Sequence, residues 1–150
     1  MRLTSFTDYS LRVLMYAALC DDRLVTIGEL ADTYRISANH LMKVVHLLGQ
    51  HGYLLTVRGK GGGLRLGRAP AQINLGELVR LTEGSDALVE CFGSEHSGCR
   101  IEHACLLYGV LREAQEAFFS TLGHYTLASL LERPVPLSRA LGLTIPITPA

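Results

Sequence analysis

Three of the chain's four cysteines, Cys91, Cys99 and Cys105, fall inside the stretch CFGSEHSGCRIEHAC, with spacing Cys-x7-Cys-x5-Cys. Thiolate is a soft donor. It selects zinc or the iron of an iron–sulfur cluster over magnesium or calcium. An odd number does not suit disulfide pairing, and structural zinc and iron–sulfur clusters usually take four ligands. The spacing therefore asks for a fourth donor. His96 and His103 lie in the same segment, and either would complete a Cys3His zinc site. The tight Cys-x2-Cys knuckle of most zinc sites is missing. On spacing alone three chemistries stay open: an iron–sulfur cluster, zinc, and thiols that exchange disulfides without metal. The fourth cysteine, Cys20, closes an apolar run and is expected to be a small core residue.

A second constellation is basic. From Thr33 to Gly76 there is no Asp or Glu, while Arg35, Lys43, Arg58, Lys60, Arg65 and Arg68 all fall within it. The formal net charge of the 150-residue chain is zero. Net charge alone thus gives no reason to expect nucleic acid, but its distribution does. A local basic field binds phosphates while acids elsewhere, such as Glu77, Glu83 and Glu90, balance the total.

Phosphate-loop and dinucleotide enzymes are poor readings of the run RGKGGG. Gly61 follows Gly59-Lys60 where a phosphate loop needs Ser or Thr, and Leu54 stands where its first glycine belongs. Counted from Gly59, Leu64 takes the third glycine position of a dinucleotide fingerprint. None of the histidines is paired with a nucleophile in a hydrolytic pattern. The chain is not expected to be an enzyme.

The elements that position these residues are mostly helical. Leu11, Leu14, Met15, Ala18 and Leu19 predict a helix over 4–20. Thr26, with Glu29 three residues on, predicts the start of a short second helix. Ser37 is expected to cap a third, with Leu41, Val44, Val45 and Leu48 as its buried stripe. Asn39, His40 and Lys43 then face outward near its N-terminus. Tyr53–Val57 and the alternation around Leu64–Leu66 predict a hairpin with a glycine tip. A helix over 73–84, a cysteine loop, a long helix from about Ala104 to Leu122 and a short helix near 125–132 follow. Pro134, Pro136, Pro146 and Pro149 are expected to stop the helical pattern.

This order is that of a winged helix-turn-helix: a mainly α fold with a small β-hairpin, extended by a long C-terminal dimerisation helix. The domain reading is 1–84 for DNA binding, 85–103 for the cysteine loop, 104–133 for dimerisation and 134–150 as a flexible tail. Ser37, Asn39, His40 and Lys43 can reach base edges in a major groove. Arg58, Lys60 and Arg65 on the hairpin suit a minor groove or phosphates. The partner is double-stranded DNA. The apolar face of the long helix lacks a partner within the chain, which predicts a homodimer and a near-palindromic operator. No signal segment or membrane span is expected, and a cytoplasmic location follows.

The opening MRLTSFTDYSLRVLMYAAL, the helix SANHLMKVVHLLGQHGYL, the wing VRGKGGGLRLGR and the trailing cysteine triad together resemble the NsrR/IscR family of winged-helix iron–sulfur regulators. The resemblance covers nearly all of residues 1–133 and is strongest to its nitric-oxide-sensing branch. It implies that Cys91, Cys99 and Cys105 hold an iron–sulfur cluster, 4Fe–4S in preference to 2Fe–2S. It implies that Asp8 supplies the remaining ligand from the partner subunit. In the IscR branch a histidine stands three residues after the third cysteine, and here that position is Tyr108. Nitric oxide as the signal, and release of operator DNA on nitrosylation, are further implications. Sensing of iron–sulfur availability, zinc or thiol redox state on the same fold is the alternative. The seven-residue first cysteine gap is longer than the family pattern and keeps His96 as a competing ligand.

Overall fold

The computed structural model describes residues 2–84, 88–92, 99–101 and 104–144. Helices α1 (Ser5–Leu19), α2 (Ile27–Tyr34) and α3 (Ala38–Gln50) lead into the strands β1 (Leu54–Val57) and β2 (Gly63–Leu66). Helices α4 (Leu75–Glu83), α5 (Leu106–Gly123), α6 (Leu127–Leu130) and α7 (Pro134–Ala140) follow. This is the mainly helical, hairpin-bearing architecture expected.

Each early helix starts on an oxygen side chain that takes an orphan amide. Thr4 accepts from the Thr7 amide, Thr26 from Glu29 and Ser37 from His40. α3 buries Leu41, Val44, Val45 and Leu48 as its periodicity requires. They meet Val13 and Leu14 of α1, Leu30 of α2 and Leu54 and Leu64 of the hairpin in one core. Each fully buried Leu contributes roughly 1.5–3 kcal/mol. Cys20 belongs to this core, at 4% exposure.

The hairpin is antiparallel, with Leu54 opposite Leu66 and Val57 opposite Gly63. It is tied to the helices through Val25, which exchanges backbone hydrogen bonds of 2.9 and 2.7 Å with Leu64. A Cβ at Gly63 would lie 2.6 Å from the Val25 carbonyl oxygen, so this close approach requires glycine.

α4 and α5 pack through Gly76, where a Cβ would come within 2.7 Å of the Phe119 carbonyl oxygen. Asn74 caps α4 by accepting from the Glu77 amide and donates its own amide to the Gly123 carbonyl at 2.7 Å. One side chain thus joins the start of α4 to the end of α5. Among the described residues the first turns of α5 have no such cover. Leu106, Leu107 and Val110 are 89%, 59% and 60% exposed.

The end of the chain corrects the sequence reading. Residues from 134 are not all tail: Pro134–Ala140 form α7. Both prolines stand in its first turn, where the missing N–H has no helical partner to lose. Ser138 is buried and donates to the Val135 carbonyl, while Leu141 and Leu143 pack on the core. Pro146 and Pro149 lie outside the described residues. Among the described residues no helix is long and apolar enough to cross a membrane.

Candidate functional site

The outward face of α3 is built by default, because its other face is spent on the core. Ser37, Asn39, His40 and Lys43 are all exposed. The Ser37 oxygen accepts from the His40 amide at 3.3 Å, which leaves its own proton free to donate. The same stripe continues through His46 and Gln50, which follow Lys43 at helical spacing and are also open to solvent. The sequence reading stopped at Lys43, although this periodicity was available to extend it.

The wing presents Arg58, Lys60 and Arg65 to solvent. Gly59 and Gly61 turn its tip with φ of 97° and 78°, a region glycine enters at no steric cost. Arg65 sits on β2 opposite Leu55, so it faces outward from the strand rather than the tip. Between α3 and β1 lies an open groove of about 600 Å³, lined in part by Met42, His46, Gln50, Thr56 and Arg58. One cation of the basic window is diverted from this surface. Arg68 folds back to donate to the carbonyls of His51 and Gly52, at the end of α3, and stacks 4.4 Å from the Tyr53 ring centre. It clasps the α3–β1 corner.

The cysteines lie on the stretch of chain that leads into α5. Cys91 lies half-buried in a 3-10 turn, Glu90–Phe92. That turn is held to α5 by the edge-to-face contact of Phe92 with Tyr108, 5.1 Å between centroids. Cys99 is exposed, and Cys105 occupies the N-cap position of α5 without making a side-chain cap hydrogen bond. All three thiols are free. His96 and His103 lie outside the described residues. Among the described residues no three Cys, His, Asp or Glu side chains converge into a metal-binding group within the chain. The remaining thiol differs in kind: burial pushes Cys20 up, and the Arg23 guanidinium lies 3.4 Å from its sulfur.

Asp8 stands in the first turn of α1 and pairs with Arg12 through contacts of 3.1 and 2.9 Å. The Arg12 guanidinium lies 5.7 Å from the Tyr34 ring centre, and the Tyr34 hydroxyl donates to the Arg12 carbonyl at 3.2 Å. Burial pushes that hydroxyl up to about 12, so it stays a donor. Tyr9, next to Asp8, places its ring 6.4 Å from His40 of α3. On the other side the Glu83 carboxylate accepts from the Thr4 amide at 3.0 Å and lies against the Thr7 hydroxyl. The N-terminal end of α1 therefore touches the helix-turn-helix and the end of α4, from which the chain runs into the cysteine segment.

The profile of the Rrf2 family, described as an iron-dependent transcriptional regulator, matches residues 3–133. The chain belongs to the Rrf2 family. It is 48% identical over 144 residues to the HTH-type transcriptional regulator NsrR of Bacillus subtilis strain 168, spanning 95% of this chain and 99% of that one. It is 48% identical over 132 residues to NsrR of Bacillus licheniformis, spanning 87% and 92%. These Rrf2 relatives are named as transcriptional regulators rather than enzymes. Among solved structures, T. potens IscR matches with a TM-score of 0.69 at 21% identity, over 88% of this chain and 87% of that one. The oxidized form of Staphylococcus aureus CymR matches with a TM-score of 0.69 at 23% identity, over 88% and 97%. The shared fold is the winged-helix Rrf2 architecture, and the chain is a DNA-binding transcriptional regulator of that family.

Proposed function

We propose that this Rrf2 regulator is a homodimeric, cytoplasmic repressor that senses nitric oxide through an iron–sulfur cluster and releases its operator when the signal arrives. The observation that supports the cluster is the donor set. Three free thiols fall within the fifteen residues that lead into α5, and Tyr108 stands where the IscR-type histidine would be. The Asp8 carboxylate is 45% exposed, and its pair with Arg12 is an i,i+4 surface contact. Such pairs are worth about 0.5 kcal/mol or less, so Asp8 exchanges partners at small cost.

Cys91, Cys99 and Cys105 would hold three irons of a 4Fe–4S cluster, and Asp8 of the partner subunit the fourth. The cluster supplies iron that reacts with nitric oxide. A carboxylate is a harder donor than thiolate and holds that iron less firmly. Arg12, paired with Asp8 on the same helix, would compete with the iron for that carboxylate. Tyr34 and Tyr9 then carry the position of α1 to the helix-turn-helix. Two copies joined along α5 cover Leu106, Leu107 and Val110 and set two α3 helices on half-sites roughly 34 Å apart. Only a few kcal/mol of differential DNA affinity is needed for the switch. The division into 1–84 for DNA, 85–103 for the cluster and 104–133 for dimerisation follows from this reading.

The test is iron and acid-labile sulfide analysis of protein purified without oxygen, with a nitric-oxide titration of operator binding. Iron and sulfide in equal amounts, and loss of binding with added nitric oxide, are expected. Zinc without sulfide would end the cluster reading, and colourless, metal-free protein that responds to oxidants would leave a thiol switch.

A further inference from the structure

Arg35 occupies a backbone position that its side chain disfavours. Its φ and ψ are 55° and 44°, the left-handed region where a Cβ crowds the following carbonyl oxygen. The other positive-φ residues among those described are all glycines: Gly52, Gly59, Gly61, Gly84 and Gly142. The way α2 ends imposes this conformation. The Ile36 amide donates to the Ala31 carbonyl at 3.2 Å, and the Ile36 side chain is buried. That is a Schellman end, which asks for glycine at the residue before. α3 starts directly afterwards under its Ser37 cap, so the turn cannot relax without moving α3.

Arginine contributes nothing visible to this turn. It is exposed. Among the described residues the ion pairs are those of Arg12, Arg23 and Arg80, and Arg35 has none. What it does supply is a cation at the corner of the helix-turn-helix, beside the α3 N-terminus and inside the stretch without acids. Strain kept without a packing return points to function.

We infer that Arg35 is a DNA-contacting residue whose guanidinium holds a backbone phosphate beside the groove that α3 enters. It sets register and adds affinity without reading bases. The inference rests on α3 being the recognition helix, and the experiment separates the two. Binding of operator and of random-sequence duplex to the full-length dimer is measured across a salt series for Arg35→Gly, Arg35→Lys and Lys43→Ala, with a thermal melt of each.

Arg35→Gly is expected to raise Tm by about 2 °C by relieving the turn. It should weaken both duplexes by the same factor, about tenfold. The slope of log K against log salt should become shallower by about 0.9 for each phosphate that the guanidinium no longer neutralises. Arg35→Lys should keep most of that slope. If Lys43→Ala weakens binding and Arg35→Gly does not, Arg35 alone is struck from the interface. If neither does, the recognition-helix reading falls as well. A lower Tm for Arg35→Gly would make the arginine a structural part of the turn and overturn the inference. So would a loss confined to the operator with an unchanged salt slope, since that is the mark of a base reader.

Discussion

Asp8 and Arg12 face each other one turn apart on α1, joined at two points, 3.1 and 2.9 Å. The acid stands N-terminal to the base, the favourable order on a helix. Its value to folding is nevertheless small, because the two side chains are 45% and 40% exposed. Its interest lies in what Arg12 touches next, the Tyr34 ring at the end of α2. Arg12 thus links Asp8 to the last residue of α2, just before the turn that leads into α3.

Asp8→Ala should leave urea unfolding of the metal-free protein within about 0.5 kcal/mol of wild type. The same variant should shift the nitric-oxide concentration that releases operator DNA. An unaltered nitric-oxide titration would return Asp8 to the part of a helix-terminal acid stabilised by the α1 dipole.

The four cysteines should separate into two groups. Serine at Cys91, Cys99 or Cys105 is expected to change stability by about 0.5 kcal/mol or less, since none of the three is buried. Iron and sulfide content should collapse in these variants. Cys20→Ser places a hydroxyl in the apolar core and should cost about 1–3 kcal/mol, with iron per folded protein unchanged. Retained iron in the Cys105 variant would remove that residue from the ligand set.

Acid should act through Glu29. The Arg23 guanidinium, joined by the Tyr16 hydroxyl, holds its carboxyl down from 4.5 to about 2. A depressed folded-state value means the stabilisation is present above about 4.5 and is lost as pH falls toward 2. Glu29→Gln should cost about 1 kcal/mol at neutral pH, the figure reduced for solvent screening of a partly exposed pair. Urea unfolding at neutral and acid pH checks this: the gap between variant and wild type should close as pH falls toward 2, and a constant gap would show that the pair is not the cause.

Packing of α5 should depend on Gly76. An alanine Cβ there would meet the Phe119 carbonyl oxygen at 2.7 Å and the Gly123 amide nitrogen at 2.8 Å, both backbone atoms that cannot swing away. Gly76→Ala should destabilise the protein by about 1–3 kcal/mol through overpacking. Equal stability in a denaturant titration would mean that α5 shifts freely on α4.

Much of this protein is local, and the sequence by itself determined those parts. The Thr26 and Ser37 caps, the buried stripe of α3, the glycine-tipped wing and the grouping of Cys91, Cys99 and Cys105 depend on neighbours within a few residues. The uncovered face of α5 was legible for the same reason, as a helical stripe without a partner. Contacts between distant residues were not. Arg58, Lys60 and Arg68 look alike in sequence, yet only Arg68 is spent on the α3–β1 corner. That choice depends on where the end of α3 lies. A local rule lets both prolines stand in the first turn of α7, but the packing of Leu141 and Leu143 on the core is a long-range contact that no local rule contains. The strain at Arg35 comes from the way α2 closes onto buried Ile36. Backbone propensity and periodicity are short-ranged, so they write elements into the sequence. Which charge stays free, and which is consumed in holding those elements together, is decided only when they pack.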